Sequence, residues 1–163
     1  MTSAAARRPE AHRSTRLRRF LARHAPRACL WIWPDPGPAE LGRVGEELVA
    51  RALRRRGDTL EGRRLRTPWG ELDVLSRDAR GLVCVEVKSA RRAPMPRIRG
   101  EAAVPLSARD RPGERVDARG LDRLQRIAAG LAARRRLVTR CEVWEVLVGP
   151  RRGAIEIRLR DGT

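Results

Sequence analysis

Asp73, Glu86 and Lys88 are of the types that hold a cation and orient or deprotonate a water, and they lie within one short stretch. Two apolar runs, Leu72–Leu75 and Leu82–Val87, flank a polar turn at Arg77–Gly81. Short β-branched runs around a glycine-containing turn predict a β-hairpin. The carboxylates of Asp73 and Glu86 interrupt runs that otherwise want burial, and an unpaired buried carboxylate is strongly penalised. Such groups are paired, hydrogen-bonded or bound to metal. Lys88 follows Glu86 by two residues, so strand alternation puts both on one face. Asp, Glu and Lys can then converge at one end of a sheet. Of 37 basic Lys and Arg residues, Lys88 is the single lysine. An ammonium is a compact donor whose pKa can shift, whereas guanidinium is a planar fork that stays charged. The alternative is a strand-end lysine paired with a neighbouring acid.

The elements that must position these groups follow from periodicity. Residues Ala39–Arg56 predict a helix closed by Gly57, with Leu41, Val44, Leu48 and Ala52 as an apolar stripe that Val49 and Leu53 extend. Glu46 falls at the edge of that face, either as a salt-bridge partner or leaning toward Asp73, while Arg43, Arg51 and Arg54 look outward. Leu60–Arg66 predicts a first strand, and Pro68-Trp69-Gly70 a turn into the hairpin. Ser89 to about Asp117 lacks periodicity, and so long an irregular stretch is expected to contact substrate. Ala118–Arg136 predicts a second helix, Val138–Val148 a strand, and Ala154–Arg160 an edge strand through which two copies could pair. The order helix, three strands, helix, two strands predicts an α/β domain with a mixed sheet flanked by two helices.

The 163 residues carry a net charge of +17 and a pI near 11.7, which points to a polyanionic partner bound mainly through phosphates. Residues 1–38 read as a basic arm, disordered until it meets a polyanion. Within it, Thr15–His24 could form a helical stretch with Leu17, Phe20 and Leu21 on one side. Pro34–Pro38 reads as a linker and domain boundary, leaving 39–163 as the folded domain. Cys29, Cys84 and Cys141 have neither disulfide nor zinc spacing, which points to a reducing, cytoplasmic compartment. The apolar run Ala28–Trp33 is too short to span a membrane, so no membrane insertion is expected.

Gly42-Arg43-Val44-Gly45-Glu46, Gly70-Glu71-Leu72-Asp73 and Val85-Glu86-Val87-Lys88, in that order, resemble the successive motifs of the YraN-like family of small bacterial proteins. That family is similar in fold to Holliday-junction resolvases and belongs to the restriction-endonuclease-like, PD-(D/E)-x-K nuclease superfamily. The resemblance runs from about Leu41 to Val148. It implies that Asp73 and Glu86 bind Mg²⁺ or Mn²⁺ with the carbonyl of Val87, that Lys88 positions or activates the attacking water, and that Glu46 completes the acidic cluster. It also implies hydrolysis of phosphodiesters in DNA, more than RNA, at branched or structured sites. The alternative is a nucleic-acid-binding protein that keeps the fold without catalysis. The expected phosphate contacts are Arg43, Arg64, Arg91, Arg92, Arg119 and Arg123. Two positions depart from the pattern. Arg64 stands where the family often has Asn, and Gly120 where a lysine commonly opens the second helix.

Overall fold

The computed structural model describes residues 9–33, 37–91, 118–149 and 155–160, with the backbone alone at 9–15 and 160. Helices α1 (Pro9–His24), α2 (Pro26–Ile32) and α3 (Pro38–Arg56) precede strands β1 (Thr59–Thr67), β2 (Gly70–Asp78) and β3 (Gly81–Arg91). Helix α4 (Ala118–Arg135) and strands β4 (Thr139–Val148) and β5 (Ile155–Arg160) complete the order. The strands form one mixed sheet in the order β1-β2-β3-β4-β5. Only β3 and β4 run parallel, and α4 lies in the connection between them, as a parallel pair requires. The expected α/β architecture and mixed sheet are present, and β5 is an edge strand as its alternation predicts.

Alternation along β3 divides the core. Val83 and Val85 face α3, where Val44, Leu48, Val49 and Leu53 meet Trp144 and Val146 of β4. Leu82 and Cys84 face α4, against Leu124, Ile127, Cys141 and Val143. Burial on both faces explains why β3 reads as a near-continuous apolar run rather than an alternating one. The same parity sends Glu86 and Lys88 to the α4 face, and Val87 and Ser89 to the α3 face.

At the end of the sheet away from Lys88, buried charge is organised as a network. Arg56 donates to Asp58 at 2.7 Å and to both oxygens of Glu142 at 3.0 Å. Ser76 donates to Asp58 at 2.8 Å, and Trp144 Nε1 to Glu142 at 2.9 Å. Arg140 closes the chain between Glu142 and Asp78. With each carboxylate paired and hydrogen-bonded, their burial carries little of the penalty an isolated charge would incur. Trp144 is thus a core residue with a satisfied indole.

The N-terminal region departs from expectation. Residues 9–32, expected to be a disordered arm outside the folded domain, form α1 and α2. Ala22, Cys29 and Leu30 are buried in the same cluster as Leu41, Val44 and Leu48 of α3, with Leu21 and Trp33 packed against it. One hydrogen bond fastens this layer to α3: Arg51, itself steadied by Glu47 at 2.9 Å within the helix, donates to the carbonyl of His24 at 2.7 Å. Arg18 also lies over the Trp33 ring, 5.1 Å from its centroid. The composition misleads because six of these 24 residues are arginine, yet the apolar side chains among them suffice once α3 offers them a surface. Leu17 and Phe20, expected to share one side of a helical stretch with Leu21, are more than half exposed, whereas Leu21 is half-buried and Ala22 is buried. Pro38 begins α3 at a position where a missing N–H costs nothing, so it starts a helix within the shared core.

Leu30→Ala removes a fully packed side chain and is expected to destabilise the protein by about 2–4 kcal/mol, read as a lower urea midpoint. An unchanged midpoint would mean that α2 contributes nothing to the core.

Candidate active site

Strands β2 and β3 pair from Asp78↔Gly81 to Val74↔Val85, and the ladder ends there. The side-chain alternation of β2 breaks at the same place, since Leu72 and Leu75 both face α4 while Val74 faces α3. Asp73 sits in that break, and its Oδ2 accepts the Val87 N–H at 2.7 Å. A carboxylate thus occupies the space beyond the last rung. In a strand the N–H and C=O of one residue point to the same side. The Val87 carbonyl therefore also faces this opening.

Glu86 and Lys88 project together from β3, and Lys88 Nζ lies 2.7 Å from Glu86 Oε1. Arg123 of α4 donates to the same oxygen at 2.9 Å, although Glu86 is only 5% exposed. The β1–β2 turn meets α4 at two places, one of them the stem of Arg123. The Trp69 ring lies over Gly130, where a Cβ would stand 2.3 Å from it. Gly70, at a φ of +131° that side chains rarely adopt, leaves room for the Arg123 stem, which a Cβ there would meet at 2.9 Å.

Glu46 approaches from α3. Gly45 precedes it with no room for a side chain, because a Cβ would fall 1.9 Å from Ser89 Oγ and 3.2 Å from Ser89 Cβ. The glycine lets the helix lie directly on β3 and delivers Glu46 to the sheet edge beside Asp73. Arg64 bridges Glu46 at 3.5 Å and Glu71 at 2.9 Å. Its backbone φ of +50° is left-handed, a conformation that Asn tolerates better than most residues. The Asn expected at this position from the family pattern therefore has a backbone reason, independent of any part in chemistry.

The carboxyls of this edge are hard to ionise. Burial pushes Glu46 up to about 7, with Asp73 and Glu71 adding to the rise and Arg64 and Arg43 opposing it. Burial and the neighbouring charge of Glu86 push Asp73 up to about 6, against the Val87 N–H, Lys88 and Arg123. A desolvated group between like charges favours its neutral form or a bound cation.

All four expected site residues thus lie along one sheet edge: Glu86 and Lys88 in contact, Asp73 beyond the last rung, and Glu46 above it. Among the described residues, however, no group of three or more His, Cys, Asp or Glu side chains is placed to hold a metal by itself. Glu86 is instead engaged by Lys88 and Arg123. Among the expected phosphate contacts, Arg123 is a Glu86 partner and Arg64 a bridge between two acids. Arg43 stands beside Glu46, Arg91 ends β3, Arg119 is exposed in the first turn of α4, and Arg92 lies outside the described residues.

Sequence reasoning missed Glu145. It is 1% exposed, pairs in register with Lys88 across the parallel β3–β4 ladder, and faces α4 as Glu86 and Lys88 do. Its signal is legible in retrospect, as the acid at a core-facing parity of β4.

The model of an uncharacterised protein family, UPF0102, matches residues 45–146. A UPF0102 protein of Parvibaculum lavamentivorans is 38% identical over 115 residues, covering 69% of this chain and 74% of the relative. UPF0102 proteins of Syntrophotalea carbinolica and Nocardia farcinica are 51% and 49% identical over 51 residues, 31% of this chain and 42% and 40% of those relatives. The matched segment therefore spans less than half of the latter two. Among the described residues no helix is long and apolar enough to cross a membrane.

Between the ordinary carboxyl value of ~4.3 and about 7, folded Glu46 holds a proton that the unfolded chain has lost, so stability falls as pH rises through this window. Glu46→Gln is expected to stabilise the protein by about 1–2 kcal/mol at pH 8 and to change little at pH 4. Equal effects at the two pH values would show that Glu46 ionises in the fold without a burial cost.

Proposed function

The chain belongs to the UPF0102 family, the YraN-like family its motifs resemble, and on that premise we propose that it is a metal-dependent nuclease that hydrolyses phosphodiester bonds in DNA. The observation that carries this reading is the junction of Asp73, Glu86 and Lys88 where β2 and β3 part. A purely structural ion pair would need Glu86 and one cation, but not a second desolvated carboxylate whose ionisation is opposed by the first.

The donor set fits a hard divalent cation. Among the described residues, Asp73 Oδ1 accepts no hydrogen bond, and the raised pKa of Asp73 marks a carboxylate short of positive charge. Asp73, Glu86 and the Val87 carbonyl would hold Mg²⁺ or Mn²⁺, with water and phosphate oxygens completing the shell, the arrangement Mg²⁺ prefers. Such an ion polarises the phosphoryl group and lowers the pKa of a bound water. The side chains would do the rest. Lys88, held by Glu86, would orient the attacking water and stabilise the hydroxide it becomes. Arg123 would pair with Glu86 and, on release from it, meet a phosphate bidentately. Glu46, near neutrality, would accept or return a proton at the sheet edge. Affinity would come from the arginine-rich surface through phosphate contacts.

A second reading, a nucleic-acid-binding protein without catalysis, is favoured by one observation. Both cations of the site converge on Glu86, and the described acids form no ready-made metal cluster.

Cleavage of a labelled panel of duplex, single strand, flap, four-way junction and RNA, with Mg²⁺ or Mn²⁺, separates the two. The wild type is expected to cut at least one substrate. Lys88→Ala is expected to lower the rate by about 100-fold or more at unchanged affinity, the range of a lost acid–base group. Binding without cleavage under either metal would establish the second reading instead.

A further inference from the structure

Beside the sheet edge, α1 and α3 enclose a cavity of about 470 Å³ with β1, lined by Arg19, Phe20, Arg23, Arg43, Arg63 and Arg64 and by the acids Glu46 and Glu47. The volume lies within the range of sites that enclose a small organic molecule. Five arginines face two glutamates, and both glutamates are already engaged: Glu47 by Arg51 and Arg63, Glu46 by Arg64. Among the described residues Arg19 and Arg23 make no ion pair, and Arg43 has only its attraction to Glu46. The cavity therefore has unspent positive charge for an anion.

It also has an aromatic face. Phe20 is the single phenylalanine of the chain, is 58% exposed, and rests against His24 with ring centroids 4.5 Å apart. Packing of α1 does not account for it, since Leu21 and Ala22 supply that contact. An exposed ring among arginines suits a ligand that is flat and apolar in one part and anionic in another. The Arg51 bond to the His24 carbonyl holds this end of α1 on α3, so the platform is fixed in place.

We infer that this cavity takes one unpaired nucleotide of the strand bound at the neighbouring carboxylate–lysine site, with its base on Phe20 and its phosphate among Arg19, Arg23 and Arg43. Glu46 belongs to both places, lining the cavity and adjoining Asp73, so a strand crossing the site edge passes the cavity mouth. The family match covers residues 45–146, so α1 and its arginines lie outside the matched segment. The inference rests on the nucleic-acid reading above and supplies a substrate preference: a strand with an unpaired base next to the cut.

The test is equilibrium binding by the full chain in EDTA, followed by fluorescence anisotropy. The probes are a short labelled single-stranded oligothymidylate, a blunt duplex of equal length, and unlabelled thymidine monophosphate as competitor. Phe20→Ala is expected to weaken single-strand binding about 10-fold and duplex binding less than about twofold, because stacking needs an unpaired base. Phe20→Trp is expected to keep wild-type affinity and Phe20→Leu to behave as Phe20→Ala. Arg19→Ala combined with Arg23→Ala is expected to reduce the salt slope for the single strand by about 0.7, the share of one phosphate. Melting curves of the exposed-site variants are expected to match the wild type.

Unchanged single-strand affinity in Phe20→Ala, or equal loss on both strand types, would overturn the inference. Thymidine monophosphate competing as well as the oligonucleotide would also overturn it, in favour of a free-nucleotide site. Because binding is read without metal, these outcomes leave the Lys88→Ala cleavage comparison to decide the nuclease reading separately.

Discussion

The hydrogen bond from the Val87 N–H to Asp73 marks the point on which the site depends. Had β2 and β3 stayed paired beyond Val74↔Val85, the Val87 amide would have met backbone, and Asp73 would have been one more strand residue. The separation of the strands admits a side chain in place of a carbonyl. It brings a second acid near Glu86 and exposes one edge of the central strand. The irregular backbone of β1 at Arg64, opposite this break, belongs to the same distortion.

Around that opening the structure divides its charges by purpose. Away from Lys88, Arg56, Asp58, Glu142, Arg140 and Asp78 satisfy one another, and the depressed pKa of Asp78, down to about 2 beside Arg140, is the mark of a paired acid. At the Asp73 end, Glu46 and Asp73 are raised instead, because burial and like charge outweigh their partners. Two groups of acids on one sheet thus have opposite electrostatic character. The difference separates a structural network from a site with unmet demand for positive charge.

The N-terminal helices change what the sheet edge can meet. With α1 fixed to α3, an arginine-rich segment that composition assigns to solvent becomes one wall of a cavity sharing Glu46 with the carboxylate site. The glycine at 45 matters here too, because the closeness of α3 to Ser89 sets how near Glu46 and the cavity come to β3.

Much was legible from the sequence by itself. The bounds of α3, the β2–β3 hairpin, α4, β4 and β5 follow from local periodicity and turn chemistry, which short-range sterics enforce. The shared face of Glu86 and Lys88 follows from the two-residue period of a strand, and the motif order identifies the family. Only the tertiary structure decided the rest, because those features depend on contacts between residues far apart in the chain. Arg123 as the partner of Glu86, Arg64 across Glu46 and Glu71, and Glu145 beside Lys88 require the packing of α4, β1 and β4, which no local pattern encodes. The fate of α1 and α2 is the clearest case. Their charge predicts disorder in isolation, and the few apolar side chains that override it, Leu21, Ala22, Cys29 and Leu30, act only once α3 is there to cover them.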